Sequence, residues 1–335
     1  MANLLDQASI VLTPTAYDNG KVLCAKPSEP PYGDFDFSRN SAATRVNAQG
    51  LVENVQILSS NLVQNGDFSE EGSEEVSNGS FSQEGSELVT NGDFATDTNW
   101  VKGTGWSISG GSANCDGTQT SQSNFFQVGI VPINTFYKVT FTATISAGGV
   151  ILSIGGSNAQ PTVTASGTYT FTSRANSGDA NLYLSGNADF IGSIDNVSCV
   201  EVGQNWELQN GWSIGNNVAV FSGTASAYRK LYQENILTIG ETYKLTFDIV
   251  SINSGSIKNF SQSNPTSYST IGTKTEYFTA TFDDLFLEPT TDADCSITNI
   301  SVKEVGQNWE FNSTAILTAN GMNITTGGYI RQDVV

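Results

Sequence analysis

The sequence predicts an all-β protein built mainly from tandem antiparallel β-sandwiches, and three observations carry that expectation. Apolar and polar residues alternate with period two in short runs. In TFYKVTFTATI, from Thr135, Tyr137, Val139, Phe141 and Ala143 face one way and Phe136, Lys138, Thr140 and Thr142 the other. Similar runs (TYTFTS, NLYLSG, EYFTATF) are separated by Gly, Asn, Ser and Asp clusters that mark turns, and no stretch has a convincing amphipathic helical period. Finally, a unit of about a hundred residues recurs, the size at which two sheets of short strands close around one core.

The recurrence sets the boundaries. GWSISGG from Gly105 returns as GWSIGNN from Gly211, and FFQVGIVPINTFYKVTFTATI returns as LYQENILTIGETYKLTFDIV, with Tyr137 matching Tyr243. SIDNVSCVEVGQNWEL returns as SITNISVKEVGQNWEF, with Trp206 matching Trp309. One module therefore spans 88–202 and a second 203–305. A third, 306–335, opens with GQNWEF and supplies about 30 of roughly 100 residues. A quarter of the strands cannot close a sandwich, so this module is expected to be completed by further chain or by a neighbouring copy.

Taken in chain order, residues 1–60 are unlike either module. After a Pro-rich loop, KPSEPPYG, the stretch GDFDFSRNSAATRVNAQGLVENVQI alternates Phe35 and Phe37 and turns through NAQG into Leu51, Val52 and Glu53, which predicts a β-hairpin. Its apolar edges would gain stability by docking on identical copies or on a particle. Arg39 and Arg45 are the only basic residues there, with Asp34, Asp36 and Glu53 as local partners. The form DFxFxRxSxATxVxxxGL(V/I)E, carried by Phe37, Arg39, Ser41, Ala43, Thr44, Gly50, Leu51 and Glu53, resembles a motif near the N-termini of bacteriophage tail, fibre and other virion proteins. That resemblance implies an anchoring and oligomerisation segment made of Phe35, Phe37, Arg39, Arg45 and Leu51. It implies attachment to other virion proteins through residues 1–60, self-association with a trimer favoured, and a place on the virion surface.

Residues 61–87 hold two 13-residue acidic repeats, LVQNGDF from Leu62 and EVSNGSF from Glu75, and LVTNGDF from Leu88 continues the series into module 1. Two readings stand: strands stacked once per repeat with Phe68, Phe81 and Phe94 in a ladder, or a flexible acidic linker. Either makes the repeats a spacer between anchor and modules.

Across residues 88–305 the order NGDF … W … GWSI … (Y/F)Q … YK(V/L)TF … IDNVS resembles the jelly-roll carbohydrate-binding modules attached to polysaccharide-degrading enzymes. The resemblance implies that the NGDF and DNV segments lie side by side with a structural calcium near their junction. Asp93 and Asp195 are then candidate oxygen ligands in module 1, with turn capping as the other role for these carboxylates. Module 2 has Thr298 in place of Asp195 and no NGDF box after Val202. Glycan binding needs exposed aromatic faces, and Trp100, Phe125, Tyr183, Tyr228 and Tyr232 are the candidates. Trp106, Trp212, Trp206 and Trp309 recur in pairs and are expected in cores, whereas Trp100 has no counterpart at its place in module 2.

Composition narrows the function further. Lys+Arg number 14 against 33 Asp+Glu, giving a net charge of −19 and a pI near 4.1. Nucleic acid and anionic membrane surfaces, which need a basic footprint, are not expected partners. The absence of histidine removes Ser–His and Cys–His chemistry, and no informative acidic pair or other catalytic motif suggests an enzyme. Cys24, Cys115, Cys199 and Cys295 stand out of register between modules, as reduced buried thiols do. No 18-residue apolar run and no basic, apolar, small-residue leader occurs, so neither membrane insertion nor a secretory signal is expected. The expected function is a phage fibre or surface-decoration protein whose jelly-roll modules attach to host surfaces or glycans, needing no cofactor beyond the candidate calcium. The alternative is a carbohydrate-binding appendage of a secreted bacterial enzyme or adhesin.

Overall fold

A computed structural model describes residues 63–332, apart from 157, 177, 224–228, 312–314 and 319–320, together with the backbone of five strands before residue 56. The chain divides into a unit of residues 1–64, with 334–335, and a unit of residues 65–333. In the first, Pro14–Asp18, Lys21–Cys24 and Asp34–Asp36 form an antiparallel sheet. Ala43–Val46 pairs with Val52–Val55 across NAQG, placing Arg45 opposite Glu53. A hairpin does turn through NAQG, but its first strand is Ala43–Val46 and not the Phe35–Phe37 alternation, since Phe35 lies opposite Val22 in the other sheet. Phe37, Arg39 and Leu51 lie outside the described residues, as do the side chains of Phe35 and Arg45.

The second unit is all-β: its described residues form antiparallel sheets and no helix. In module 1 one sheet runs, in order, Gly167–Arg174, Phe136–Ala147, Ile191–Val202, Ser112–Cys115 and Trp106–Ser109. The facing sheet runs Asn158–Ala159, Val150–Ile154, Leu182–Gly186, Phe125–Gln127 and Val101–Lys102. Tyr137, Val139, Phe141 and Ala143 are buried, as the alternation predicts, against Val150, Leu152, Leu182 and Leu184 from the facing sheet. Module 2 repeats the plan around Tyr243, Leu245, Phe247 and Ile249, with Asp294–Val305 as the equivalent of Ile191–Val202. These two are called the closing strands below.

The short repeats complete these sandwiches and are not a spacer. Glu84–Glu87 pairs with the closing strand of module 1, but Glu71–Glu74 pairs with that of module 2. The order is reversed: the third NGDF-type turn serves module 1, the second serves module 2, and the first reaches the third module. No ladder of phenylalanines forms, because Phe94, Phe81 and Phe68 go to Trp100, Trp206 and Trp309 respectively, with ring centroids 5.4, 5.2 and 5.4 Å apart. The missing NGDF box of module 2 is therefore NGSF at Asn78–Phe81.

Each turn is recognised by the same chemistry. The Trp100, Trp206 and Trp309 indoles donate to the carbonyls of Asn91, Asn78 and Asn65, at 3.1, 3.0 and 3.1 Å. The Glu87 carboxylate accepts from the Val89 and Cys199 amides at 2.8 and 2.9 Å and from the Ser198 hydroxyl at 2.6 Å. Glu74 repeats this with Val76, Val302 and Ser301. The Gln127 side-chain amide grips the Thr90 backbone at both polar atoms, and Gln233 grips Ser77. This explains why a Gln recurs in FFQ and LYQ. The Val197 amide donates to the Gly92 carbonyl and the Ile300 amide to that of Gly79, at 2.9 and 3.0 Å. A Cβ on Gly92 or Gly79 would lie 2.0 or 1.9 Å from the oxygen of Val197 or Ile300, so only glycine fits. The phenylalanines themselves hold φ of +51° to +57°, a conformation that bulky residues adopt only when burial of the ring outweighs the strain.

The third module repeats the first steps only. Glu310–Phe311 pairs with Ile330–Arg331, and Ala315–Thr318 forms a hairpin with Gly321–Ile324. Cys115, Cys199 and Cys295 are free and buried, and burial pushes the Cys199 and Cys295 thiols up to about 12.

Candidate functional site

Two aromatic pairs lie on the outer faces of the five-stranded sheets. In module 1 the inward side chains of Phe125, Leu182 and Leu184 are fully buried, so strand alternation turns Phe126 and Tyr183 outward. Register sets these two opposite each other, and their rings stack 4.7 Å apart at 28°. The Tyr183 hydroxyl donates to Asp179 and accepts from the Asn181 side-chain amide at 3.0 Å, and the Gly129 backbone amide donates to Asn181 Oδ1 at 2.9 Å. Burial first, and then the hydrogen bond with Asp179, raises the Tyr183 phenol above its ordinary value, so it stays a neutral donor. The result is a partly exposed aromatic stack with a carboxylate and an amide fixed at its rim.

The equivalent pair in module 2 is Tyr232 opposite Phe286. This face is more covered. Lys230 Nζ sits 4.1 Å from the Phe286 ring centroid, Phe282 packs 5.2 Å away, and Arg229 bonds Glu288 at 2.8 Å beside it. Burial and then Glu207, Glu234 and Asp284 raise the Tyr232 phenol. The first face is open and uncharged over the rings, and the second carries a cation on its aromatic.

Of the candidates from sequence, Tyr183 and Tyr232 stand on these faces. Trp100 and Phe125 do not: both are core residues, stacked on each other at 4.6 Å and 4°. Trp100 does have counterparts, Trp206 and Trp309, which fill the same role at the start of their modules. Tyr228 lies outside the described residues. Phe126 and Phe286 were missed, although Phe125 and Phe126 are adjacent on one strand and only one of them can face inward.

The NGDF and DNV segments do meet, through the Val197–Gly92 hydrogen bond. Asp93 accepts from the Ala95 amide at 3.3 Å and Asp195 from the Asn196 amide at 2.6 Å, so each carboxylate has a local turn role. Among the described residues no three His, Cys, Asp or Glu side chains converge on one point.

No family model matches the chain, and no curated protein matches it. Similar solved structures include the N-terminal CBM22-1–CBM22-2 tandem domain of Paenibacillus barcinonensis Xyn10C, at 12% identity over 67% of this chain and 99% of that one, with a TM-score of 0.29. Another is the CUB1-EGF-CUB2 domain of human MASP-1/3, at 9% identity over 62% and 98%, with a TM-score of 0.20. At these scores the sandwich architecture rests on the sheets themselves.

Proposed function

We propose that this chain is a structural component of a bacteriophage particle, a fibre or surface-decoration protein that attaches to glycans or host surfaces and has no enzymatic role. The observation that carries the attachment reading is the open Phe126–Tyr183 platform. The stacked, partly exposed rings offer apolar surface to a pyranose, and Asp179 and Asn181 offer hydrogen bonds to its hydroxyls. The virion reading rests on the DFDFSRNSAATRV…GLVE resemblance, which also motivates anchoring through residues 1–60 and a trimer. Several weak platforms on one particle would then act by avidity.

A structural calcium in module 1 is part of this proposal. In module 2 the Thr298 hydroxyl sits between the carbonyls of Ser80 and Asn217, at 3.2 and 2.9 Å. The equivalent positions in module 1 are Asp195, Asp93 and Gly111. An Asp195 carboxylate turned toward those two carbonyl oxygens would have no proton to share and would suit a hard cation.

The test is a polysaccharide array probed with wild-type chain and with Phe126→Ala and Tyr183→Ala variants. Loss of each ring should weaken a positive signal by about two- to tenfold, since aromatic stacking contributes about 0.5–1.5 kcal/mol. Signals indifferent to both substitutions would remove the platform as the site. Light scattering tests the particle reading separately, with a small multiple of 35.6 kDa expected and a monomer counting against it.

A further inference from the structure

The contacts that seat the short repeats on modules 1 and 2 form a recognition code written twice. Residues 71–81 and 84–94 share E-x-x-E-x-V-x-N-G-x-F, and each kept position meets the same kind of partner on its own module. The first glutamates, Glu71 and Glu84, reach the central-strand lysines Lys244 and Lys138 at 2.5 and 2.6 Å, and Glu71 also takes Lys303 at 3.0 Å. The second glutamates take a closing-strand amide and serine, the valines are buried, and the turn and its phenylalanine go to a tryptophan. The chain has only 14 Lys and Arg, yet three of those lysines stand at these two seats. Recognition does not depend on chain continuity. The Asn78 side chain donates to the carbonyl of Gln204, 126 residues on, and Lys303 bonds Glu71 across 232 residues. The link to the next segment, Ser82 and Gln83, is exposed, and its hydrogen bonds run back to the turn itself. The Gln83 amide donates to Asn78 Oδ1 at 3.1 Å, and the Ser80 and Ser82 hydroxyls pair at 2.7 Å. The turn is self-contained, and the code holds it to its module.

We propose that the seat on module 2 is a receptor for this motif, and that the 71–81 segment of a second copy of the chain occupies it when copies are concentrated. Neighbouring copies are then joined by exchanged segments. Every contact in the exchanged state is one the structure already displays, made between chains instead of within one, and only the exposed Ser82–Gln83 link has to change direction. Occupancy by a chain's own segment and by a neighbour's then differ through effective concentration, so exchange grows as copies crowd together. Charge selects the point of contact. Two chains of net charge −19 repel, but an acidic segment and a seat bearing Lys244 and Lys303 attract. This linkage does not depend on the association proposed for residues 1–60.

The experiment uses the natural ion pair as its reporter. Heavy-isotope-labelled and unlabelled full chains are mixed in urea in equal amounts and refolded together at increasing concentration. A carbodiimide then joins carboxylates to amines in contact with them. Mass spectrometry of the digest reads whether each Glu71–Lys244 or Glu71–Lys303 cross-link joins peptides of one isotope or of both. Mixed pairs are expected and should rise with concentration. Asp97–Lys102, an ion pair five residues apart within module 1, should stay unmixed. Amide protection of Phe136–Ala147 equal to that of chain never exposed to urea verifies refolding. Phe81→Ala in both chains should lower the mixed Glu71 pairs at least tenfold. Unmixed Glu71 pairs at every concentration overturn the proposal. So do mixed pairs that appear equally at Asp97–Lys102, which mark indiscriminate association, or mixed pairs that Phe81→Ala leaves unchanged.

Discussion

Phe81→Ala tests the reversed assignment of the short repeats. Phe81 is 2% exposed and packs on Trp206, in a module that begins more than a hundred residues later in sequence. Deleting a buried phenyl ring costs about 3–5 kcal/mol. Alanine at φ +53° stays in the left-handed region, so relief of strain does not offset that cost. At about 1.4 kcal/mol per decade, the NGSF turn should release from module 2 about two to four orders of magnitude more often. A multidomain chain has no single melting point to report this, so amide exchange resolved by segment is the assay. Protection should fall in Glu71–Glu74 and Asp294–Val305, while Glu84–Glu87 and Ile191–Val202 exchange as in the wild type. Loss at Ile191–Val202 instead, in the module nearer in sequence, would refute the assignment.

The remaining expectations concern ionisation. Lys244 and then Lys303 hold the Glu71 carboxyl below its ordinary value of 4.5. A group depressed in the folded state stabilises fully above its unfolded value, and the contribution is lost as pH falls through the folded one. Protection in Glu71–Glu74, taken relative to the intrinsic exchange rate at each pH, should therefore fall as the pH drops below 4.5, and more steeply than in Glu71→Gln; equal slopes would disprove the link. Glu276 is the opposite case: burial raises its carboxyl, although Gln262 donates to it at 2.6 Å. Its contribution is full below the unfolded value and lost as pH rises through the folded one, so Glu276→Gln should resist urea better at pH 7 and match the wild type near pH 4. A variant weaker at pH 7 would contradict this. Cys115, Cys199 and Cys295 should ignore a thiol reagent at pH 8 until urea is added, and rapid native labelling of all three would show the cores to be open.

Much of the fold was legible because it is local. Period-two alternation located the long strand Phe136–Ala147. The short repeats of residues 61–94, which form an arm across the modules, were misread because their pairings are distant and run in reverse: the Glu74–Val302 bond spans 228 residues. A signal did exist. Three NG(D/S)F turns match three Asn-Trp pairs, at Asn99, Asn205 and Asn308, all left-handed at φ of +69° to +72°. Placing NW at the start of each module, instead of the end, would have given Trp100 its counterparts. For the aromatic faces, composition named the residue types, but only the sheets tell which of two neighbouring phenylalanines faces water. Phe125 against Phe126 is decided by which side of the strand the core occupies.

The reversed order of the arm also has a mechanical meaning. Tension applied to the chain ahead of Asn65 reaches the contacts of the last module first. The Glu71–Phe81 segment on module 2 follows, and the Glu84–Phe94 segment on module 1 comes last. Because each segment is 13 residues long, each release adds at most about 45 Å of extended chain before the next one bears load. A pulled molecule would therefore lengthen in equal steps and shed its distal sandwich's hold first. It would absorb work three times before force reached a complete core.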